Sequence, residues 1–338
     1  MFKVLFPAVF VLSVLLSACG GESTPAVAEL ALTGKTSVAV GVPESLTAVL
    51  RDVSGKSIAG TVTYTSDQPG VIEVDAQGKL TVKRLSATGK PVTVTASAGS
   101  QKATLKIATY GLELAVGSYV WSTQPAQVAP GRFIAVRYRP ESGSTQASTF
   151  TVTIPGGQSE PLQCGLSLND VNGWCWWSLP IGTKYPAGEY RASLIQNGVT
   201  YTTTALVPTS GGTLAFVAAA KATVNARNVT FAGAVPAAGR WIYSYVANER
   251  LEASGLIGSR IHAPQRLTSQ AEPLAADNLA VSVYSTVLPA QLQVGAGVPA
   301  GTYDTWITAM SGNLSSFAEV LPEQFNVSAT FAGQVALE

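Results

Sequence analysis

A single histidine, His262, occurs among 338 residues, together with three cysteines and two methionines. One histidine excludes His-paired metal sites such as His-Glu-x-x-His, and any Ser-His-Asp arrangement would depend on that residue alone. No Gly-x-Ser-x-Gly, Ser-x-x-Lys, phosphate-loop or Gly-x-Gly-x-x-Gly string is present, and the glycine cluster Gly295-Ala-Gly297-Val-Pro-Ala-Gly301 leads into a strand pattern rather than a helix N-terminus. Charged residues make up only 12% of the chain and the formal net charge is +1, which leaves no basic stripe for nucleic acid and no acidic tail. The 20 acidic residues are scattered, so no carboxylate pair for sugar hydrolysis is indicated. The expectation is a protein that is not an enzyme, with no catalytic residue, no metal and no cofactor.

The amino end does carry a pattern. Lys3 precedes an apolar run from Val4 to Leu16 that ends in Leu16-Ser17-Ala18-Cys19, the layout of a secretion signal. The run is shorter than the ~20 residues a helix needs to cross a ~30 Å hydrocarbon core, which favours a cleaved leader over a permanent span.

Leu16-Ser17-Ala18-Cys19 resembles the lipobox of bacterial lipoproteins: a Leu, two small residues, then the cysteine that is acylated and becomes the mature N-terminus. The resemblance implies that Cys19 carries a thioether-linked diacylglycerol and usually a further amide-linked chain such as palmitate. Two or more chains give stable anchoring where one alone binds marginally. The membrane would then be a partner through the lipid. Gly20 follows, where an Asp in this family commonly marks inner-membrane retention, so the resemblance favours the outer membrane, on its periplasmic or extracellular face.

Beyond a signal peptide over 1–18 and a short tether over 19–28, the chain suits two or three domains of ~100 residues. Across 29–109 the pattern has period two: Leu46, Ala48 and Leu50 alternate with other residues, as do Val92, Val94 and Ala96 with Thr and Ser. Turn chemistry at Ser54-Gly55, Gln68-Pro69-Gly70, Asp75-Ala76-Gln77-Gly78 and Ala98-Gly99-Ser100 gives the spacing of an all-β sandwich. With so few charges, solubility rests on Thr, Ser, Gln and Asn, a composition suited to strands with one exposed face.

The run Val62-Thr-Tyr-Thr-Ser-Asp-Gln-Pro-Gly-Val-Ile-Glu-Val-Asp-Ala-Gln-Gly-Lys-Leu-Thr-Val is similar to the signature of the bacterial Ig-like group 2 domain. Tyr64 stands where the family usually has Trp, and Lys83-Arg-Leu-Ser-Ala-Thr-Gly-Lys is longer than the usual glycine turn. The resemblance implies an Ig-like fold and a spacer or adhesion role on a bacterial surface, without catalysis.

Two further sandwiches are expected, over 110–208 and 209–338. Phe133-Ile-Ala-Val-Arg-Tyr-Arg and Thr149-Phe-Thr-Val-Thr-Ile alternate in the second; Arg240-Trp-Ile-Tyr-Ser-Tyr-Val and Leu279-Ala-Val-Ser-Val-Tyr are strand candidates in the third. Pro-Ala-Gly-x-Tyr occurs in both, ending at Tyr190 and Tyr303, and reads as a tight turn delivering a Tyr whose hydroxyl bonds backbone at a sandwich corner. Between Val246 and Ala276 the alternation lapses, and a helix and an irregular connection are equally consistent with it. Trp121, Trp241 and Trp306 are isolated within strands and read as core.

In an exported chain, Cys19 takes the lipid and Cys164 and Cys175 remain as a disulfide pair. With a turn centred on Asn169-Asp170, the two would face each other across an antiparallel hairpin. That turn, through Asn172-Gly173, holds a fragment of a Ca²⁺ loop but lacks the further carboxylates such a loop requires. Trp174, Trp176 and Trp177 crowd the second arm; on a strand, Trp174 and Trp176 share one face while Trp177 joins Cys175 on the other. Two readings stand: a stacking platform for sugar rings, or large aromatics filling core and rim.

The sequence therefore describes tandem Ig-like β-sandwich domains behind a lipoprotein signal peptide. The expected role is a structural, spacer or adhesion element of the cell envelope, with cell-envelope polysaccharide or a surface protein as partner and no nucleic acid. The alternative is a carbohydrate-binding surface lipoprotein using the Trp174/Trp176 platform.

Overall fold

The computed structural model describes residues 26–123, 127–142, 149–157, 159–163, 173–180, 187–209, 212–248, 280–314 and 317–338. Every regular element among them is a β-strand, as the alternating patterns require. The first part of the chain forms β1 (Glu29–Thr33), β2 (Ser37–Ala39), β3 (Glu44–Ser45), β4 (Thr47–Arg51), β5 (Ser57–Ile58), β6 (Thr63–Ser66), β7 (Ile72–Val74), β8 (Lys79–Val82), β9 (Val92–Ala98) and the long β10 (Gln101–Thr123). Two small sheets, β1-β4-β5 and β3-β8-β7, face the layer β6-β9-β10, to which β2 adds in parallel. Val92, Val94, Ala96 and Ala98 are buried and the residues between them half-buried, the period-two signature of a strand with one covered face.

The motif of the first unit is built as its residue types demand. Asp75 Oδ1 accepts the amides of Gln77 (2.9 Å) and Lys79 (2.8 Å), closing the turn that Gly78 completes at φ +79°. A Cβ on Gly78 would lie 3.0 Å from the Tyr64 ring, so the glycine and the aromatic fit one another. Asp67 Oδ1 accepts Thr93 N at 2.8 Å and ties the preceding turn to β9.

β10 does not stop where the first unit was expected to end. It runs on through residues 109 and 110 and pairs with β11 (Gln127–Arg139) in unbroken antiparallel register from Gly111 to Thr123. Four more strands, β12 (Thr149–Thr153), β13 (Ser159–Gln163), β14 (Gly173–Pro180) and β15 (Gly188–Gln196), are followed by β16 (Val199–Val207), β17 (Ala218–Asn225), β18 (Asn228–Ala234), β19 (Trp241–Asn248), β20 (Ala280–Ser285), β21 (Ala290–Gln293), β22 (Gly301–Met310) and β23 (Val327–Leu337). The central sheet has the order β14-β11-β10-β23-β22-β19-β20, and the parallel pairing of β10 with β23 at Tyr119–Trp121 joins both later regions in one layer.

One face of this sheet carries two smaller sheets. The sheet β13-β12-β15-β16 encloses Leu112, Leu114, Val116, Ile134, Val136 and Phe150, and β17-β18-β21 encloses Val229, Phe231, Ile242, Ile307 and Ala309. The opposite face carries Ala115, Tyr119, Phe133, Trp241, Tyr243, Trp306 and Met310, with Leu314, Leu321 and Phe325 from the connection between β22 and β23 packed onto it. Both faces are therefore covered, which is why Phe133–Tyr138 and Tyr303–Met310 are buried without interruption where alternation suggested one exposed face. Trp241 and Trp306 are core, as expected, and the backbone of Trp121 lies at the meeting of β10 with β23. Tyr303 donates its hydroxyl to Pro299 O at 2.8 Å, the corner bond expected of the Pro-Ala-Gly-x-Tyr run, and Tyr190 is buried in the second sandwich.

The β22–β23 connection crosses β10 at Gly117. Phe325 N donates to Val116 O at 3.0 Å, Asn326 Oδ1 accepts Ser118 N at 3.0 Å, and the Phe325 ring stacks on Phe133 at 5.2 Å. A Cβ on Gly117 would lie 2.1 Å from the Phe325 carbonyl oxygen, so only glycine fits. Gly117→Ala is expected to lower stability by about 1–3 kcal/mol through this overpacking, read as a lower urea midpoint at unchanged slope. A variant as stable as the parent would contradict the crossing.

Candidate functional site: a buried ionic junction and its cleft

The most chemically specific cluster among the described residues sits where three stretches of chain meet: the end of the first unit, the start of the β10–β11 pair, and the β22–β23 connection. Glu113 on β10 and Arg137 on β11 are direct cross-strand partners. Cross-strand neighbours on one face lie ~5 Å apart, close enough for opposite charges to meet. Arg137 Nε donates to Glu113 Oε2 at 2.5 Å, with side chains only 1% and 4% exposed. The other carboxylate oxygen, Oε1, accepts Leu85 N at 3.3 Å, which brings the first unit onto the pair.

Arg139, two residues along the same face of β11, repeats the arrangement with carbonyls. Its Nη1 donates to Ser86 O at 2.7 Å and its Nη2 to Thr109 O. Ser86 and Thr109, both buried, also bond each other, Ser86 N donating to Thr109 Oγ1 at 2.6 Å. Burial holds the Arg139 guanidinium below its ordinary pKa, the neighbouring Arg137 charge acts in the same direction, and Glu113 opposes both. Phe317 completes the cluster: its ring centroid lies 4.6 Å from Arg137 Cζ and 5.4 Å from Arg139 Cζ, within cation–π range. The same Phe317 packs into the core of the first unit, its carbonyl accepts Thr88 N at 2.6 Å, and Arg84 Nη1 donates to Leu321 O at 2.5 Å.

Every hydrogen bond from the first unit in this cluster comes from residues 84–88 or from Thr109. The longer turn that departs from the Ig-like pattern, Lys83 to Lys90, is thus the segment that docks. Beside the junction lies a cleft of about 720 Å³, lined by Leu114, Thr204, Leu206, Leu321, Pro322 and Lys83 among others.

The arrangement holds no nucleophile beside a base. Among the described residues, no group of three or more His, Cys, Asp or Glu is placed to hold a metal ion. Its chemistry is cohesion: opposite charges, guanidinium donors and an aromatic ring buried together.

The residues singled out in the sequence lie elsewhere. Cys19, Cys164, His262 and the Asn169–Asn172 part of the turn lie outside the described residues, as does most of 246–276. Trp174, Cys175, Trp176 and Trp177 are described by backbone alone: they stand on β14 opposite Arg137, Val136, Ala135 and Ile134 of β11. The hairpin expected between the two cysteines falls for the most part outside the described residues. β13, which ends one residue before Cys164, pairs with β12, whereas β14 pairs with β11, so the two arms belong to different sheets.

No family model matches the chain, and no curated protein matches it in sequence. Among solved structures it is similar to domains 5-6 of the S-layer protein SbsC, at 14% identity and a TM-score of 0.22 over 55% of this chain and 100% of that one. It is likewise similar to SbsC domains 4 and 5, at 17% identity and a TM-score of 0.23 over 54% of this chain and 98% of that one. Bovine butyrophilin gives 10% identity and a TM-score of 0.19, over 53% of this chain and 99% of that one. At such TM-scores the all-β assignment rests on this chain's own strand pairing.

Removing one member of a buried pair leaves the other charge without compensation. Glu113→Gln is expected to lower the unfolding free energy by about 3–5 kcal/mol. Glu73→Gln, which breaks the exposed Lys83–Glu73 pair at 2.7 Å, should cost at most about 1 kcal/mol. Urea denaturation of the two variants side by side checks the difference; equal effects would contradict a cohesive role for the junction.

Proposed function

We propose that this chain is a lipid-anchored protein of the cell envelope whose β-sandwich units form a stiff structural, spacer or adhesion element. The observation that carries the reading is the junction itself. A chain that spends a buried Glu113–Arg137 pair and a shared Phe317 on fixing one unit against the next is suited to holding surfaces at a set spacing. The absence of catalytic motifs from the sequence and the sparse charge agree with a positional role.

In this reading Cys19 is the acylated N-terminus and the lipid fixes one end at the membrane, most simply the outer membrane. The first unit is a bacterial Ig-like group 2 domain; the Asp75 turn and the Tyr64–Gly78 fit support that assignment. Cys164 and Cys175 form a disulfide, the pair left once Cys19 carries the lipid in an exported chain. Loops at the free ends meet cell-envelope polysaccharide or another surface protein.

The anchor is tested by growing cells with an alkyne-bearing palmitate analogue and comparing the parent with Cys19→Ala. The parent should be labelled and partition with membranes, while the variant should stay unlabelled and keep its leader. Equal labelling of both proteins would remove the lipoprotein reading.

A further inference from the structure

Opposite charges line the junction cleft without meeting. Arg84 stands on its first-unit wall, and Glu323 on the wall formed by the β22–β23 connection. The Arg84 guanidinium gives one N–H to the neutral carbonyl of Leu321 and meets no carboxylate among the described residues. Glu323 is exposed, and its carboxylate joins no ion pair among them. The other charges at the cleft are balanced in place, Glu113 by Arg137 and Lys83 by Glu73. Two uncompensated groups of opposite sign therefore remain, one on each wall.

Both groups sit on backbone that is held in place. Val71 O accepts Lys83 N at 2.8 Å and Arg84 N at 3.4 Å, which fixes the stretch that carries Arg84. Across the cleft, Leu321 and Phe325 are buried against the aromatic face of the central sheet, and Glu323 is the exposed residue midway between them. Leu321, whose carbonyl Arg84 holds, lies two residues before Glu323, at most about 7 Å along the chain. The two charges are thus neighbours separated by more than the ~4 Å of an ion pair. Gln68, Thr81 and Thr204 add amide and hydroxyl groups to the lining, while Leu206, Val320 and Pro322 add apolar surface. The volume of about 720 Å³ falls in the range of small-molecule sites.

We propose that the cleft binds a short unblocked peptide as a zwitterion, with its C-terminal carboxylate on Arg84, its N-terminal ammonium on Glu323 and an apolar side chain against Leu206 and Pro322. A guanidinium carries five N–H donors, so after Leu321 O is served Arg84 keeps enough for a two-point bond to a carboxylate. A purely anionic ligand would leave Glu323 facing its own sign, and a purely cationic one would do the same to Arg84. A neutral ligand would match neither. The peptide's own N–H and C=O groups find partners in Gln68, Thr81 and Thr204. Because both anchors are fixed by surrounding backbone and core contacts, binding needs little ordering of the protein. The inference depends on neither the lipid anchor nor the envelope reading.

The test uses the full chain without its leader at pH 7, where a peptide amine is mostly protonated. Three probes are compared: Ala-Leu-Ala, its N-acetylated form and its C-terminal amide. Residue-resolved amide chemical shifts of Gly70, Thr81 and Glu323, all in the lining, should move saturably with Ala-Leu-Ala. Acetylation and amidation should each weaken binding about fivefold or more, because each removes one charge-assisted contact. Glu323→Gln changes an exposed side chain that forms no ion pair in the fold. That variant should bind the free and acetylated peptides equally while still preferring the carboxylate to the amide. The proposal is overturned by the absence of saturable shifts at these residues, by a blocked peptide binding as tightly as the free one, or by a Glu323→Gln protein that still prefers the free amine.

Discussion

Glu113 and Arg137 meet on neighbouring strands with both side chains withdrawn from water. Desolvating two such charges costs several kcal/mol each, and their attraction offsets that only when geometry is good and the remaining donors and acceptors are bonded. The surrounding chain adds contacts to both members of the pair. Leu85 N comes from the first unit, and Phe317, lying over Arg137 and Arg139, comes from the β22–β23 connection. If any of the three stretches moved, a buried charge would lose compensation, so the pair specifies how the regions sit against each other more than it adds to raw stability.

The β22–β23 connection works as a strap because its apolar side chains are divided among separate cores. Phe317 enters the first unit, while Leu314, Leu321 and Phe325 enter the aromatic face of the central sheet. Its backbone closes on β10 at Val116 and Ser118, which is possible because Gly117 leaves space for the Phe325 carbonyl. Beyond that closure Glu113, Leu114 and Ala115 of β10 line the cleft. One strand thus serves as spine to the first unit, partner to β11 and wall of a cavity.

The local architecture was legible in the sequence because it follows from period two and turn chemistry. The alternation at Val92–Ala98, the Asp75–Gly78 turn and the Tyr303 corner are all written within a few residues. The junction was not, because its parts are far apart in the chain: Arg84 and Leu321 bond across 237 positions. Arg137 and Arg139 look like the solvent side of an alternating strand until a second layer covers them. Two signals pointed toward the site, the lengthened turn after Val82 and the placing of Glu113 and Arg137 within apolar runs of a chain with little charge.

The central claim is that the junction holds the first unit at a fixed distance and orientation from the rest of the chain. Pulsed electron–electron resonance between spin labels introduced through non-natural amino acids at positions 53 and 287 tests it most directly, since Val53 and Val287 are exposed and stand in the first unit and beyond β20. A single narrow distance distribution is what the buried junction requires. A broad distribution, like that of domains joined by a free tether, would contradict it.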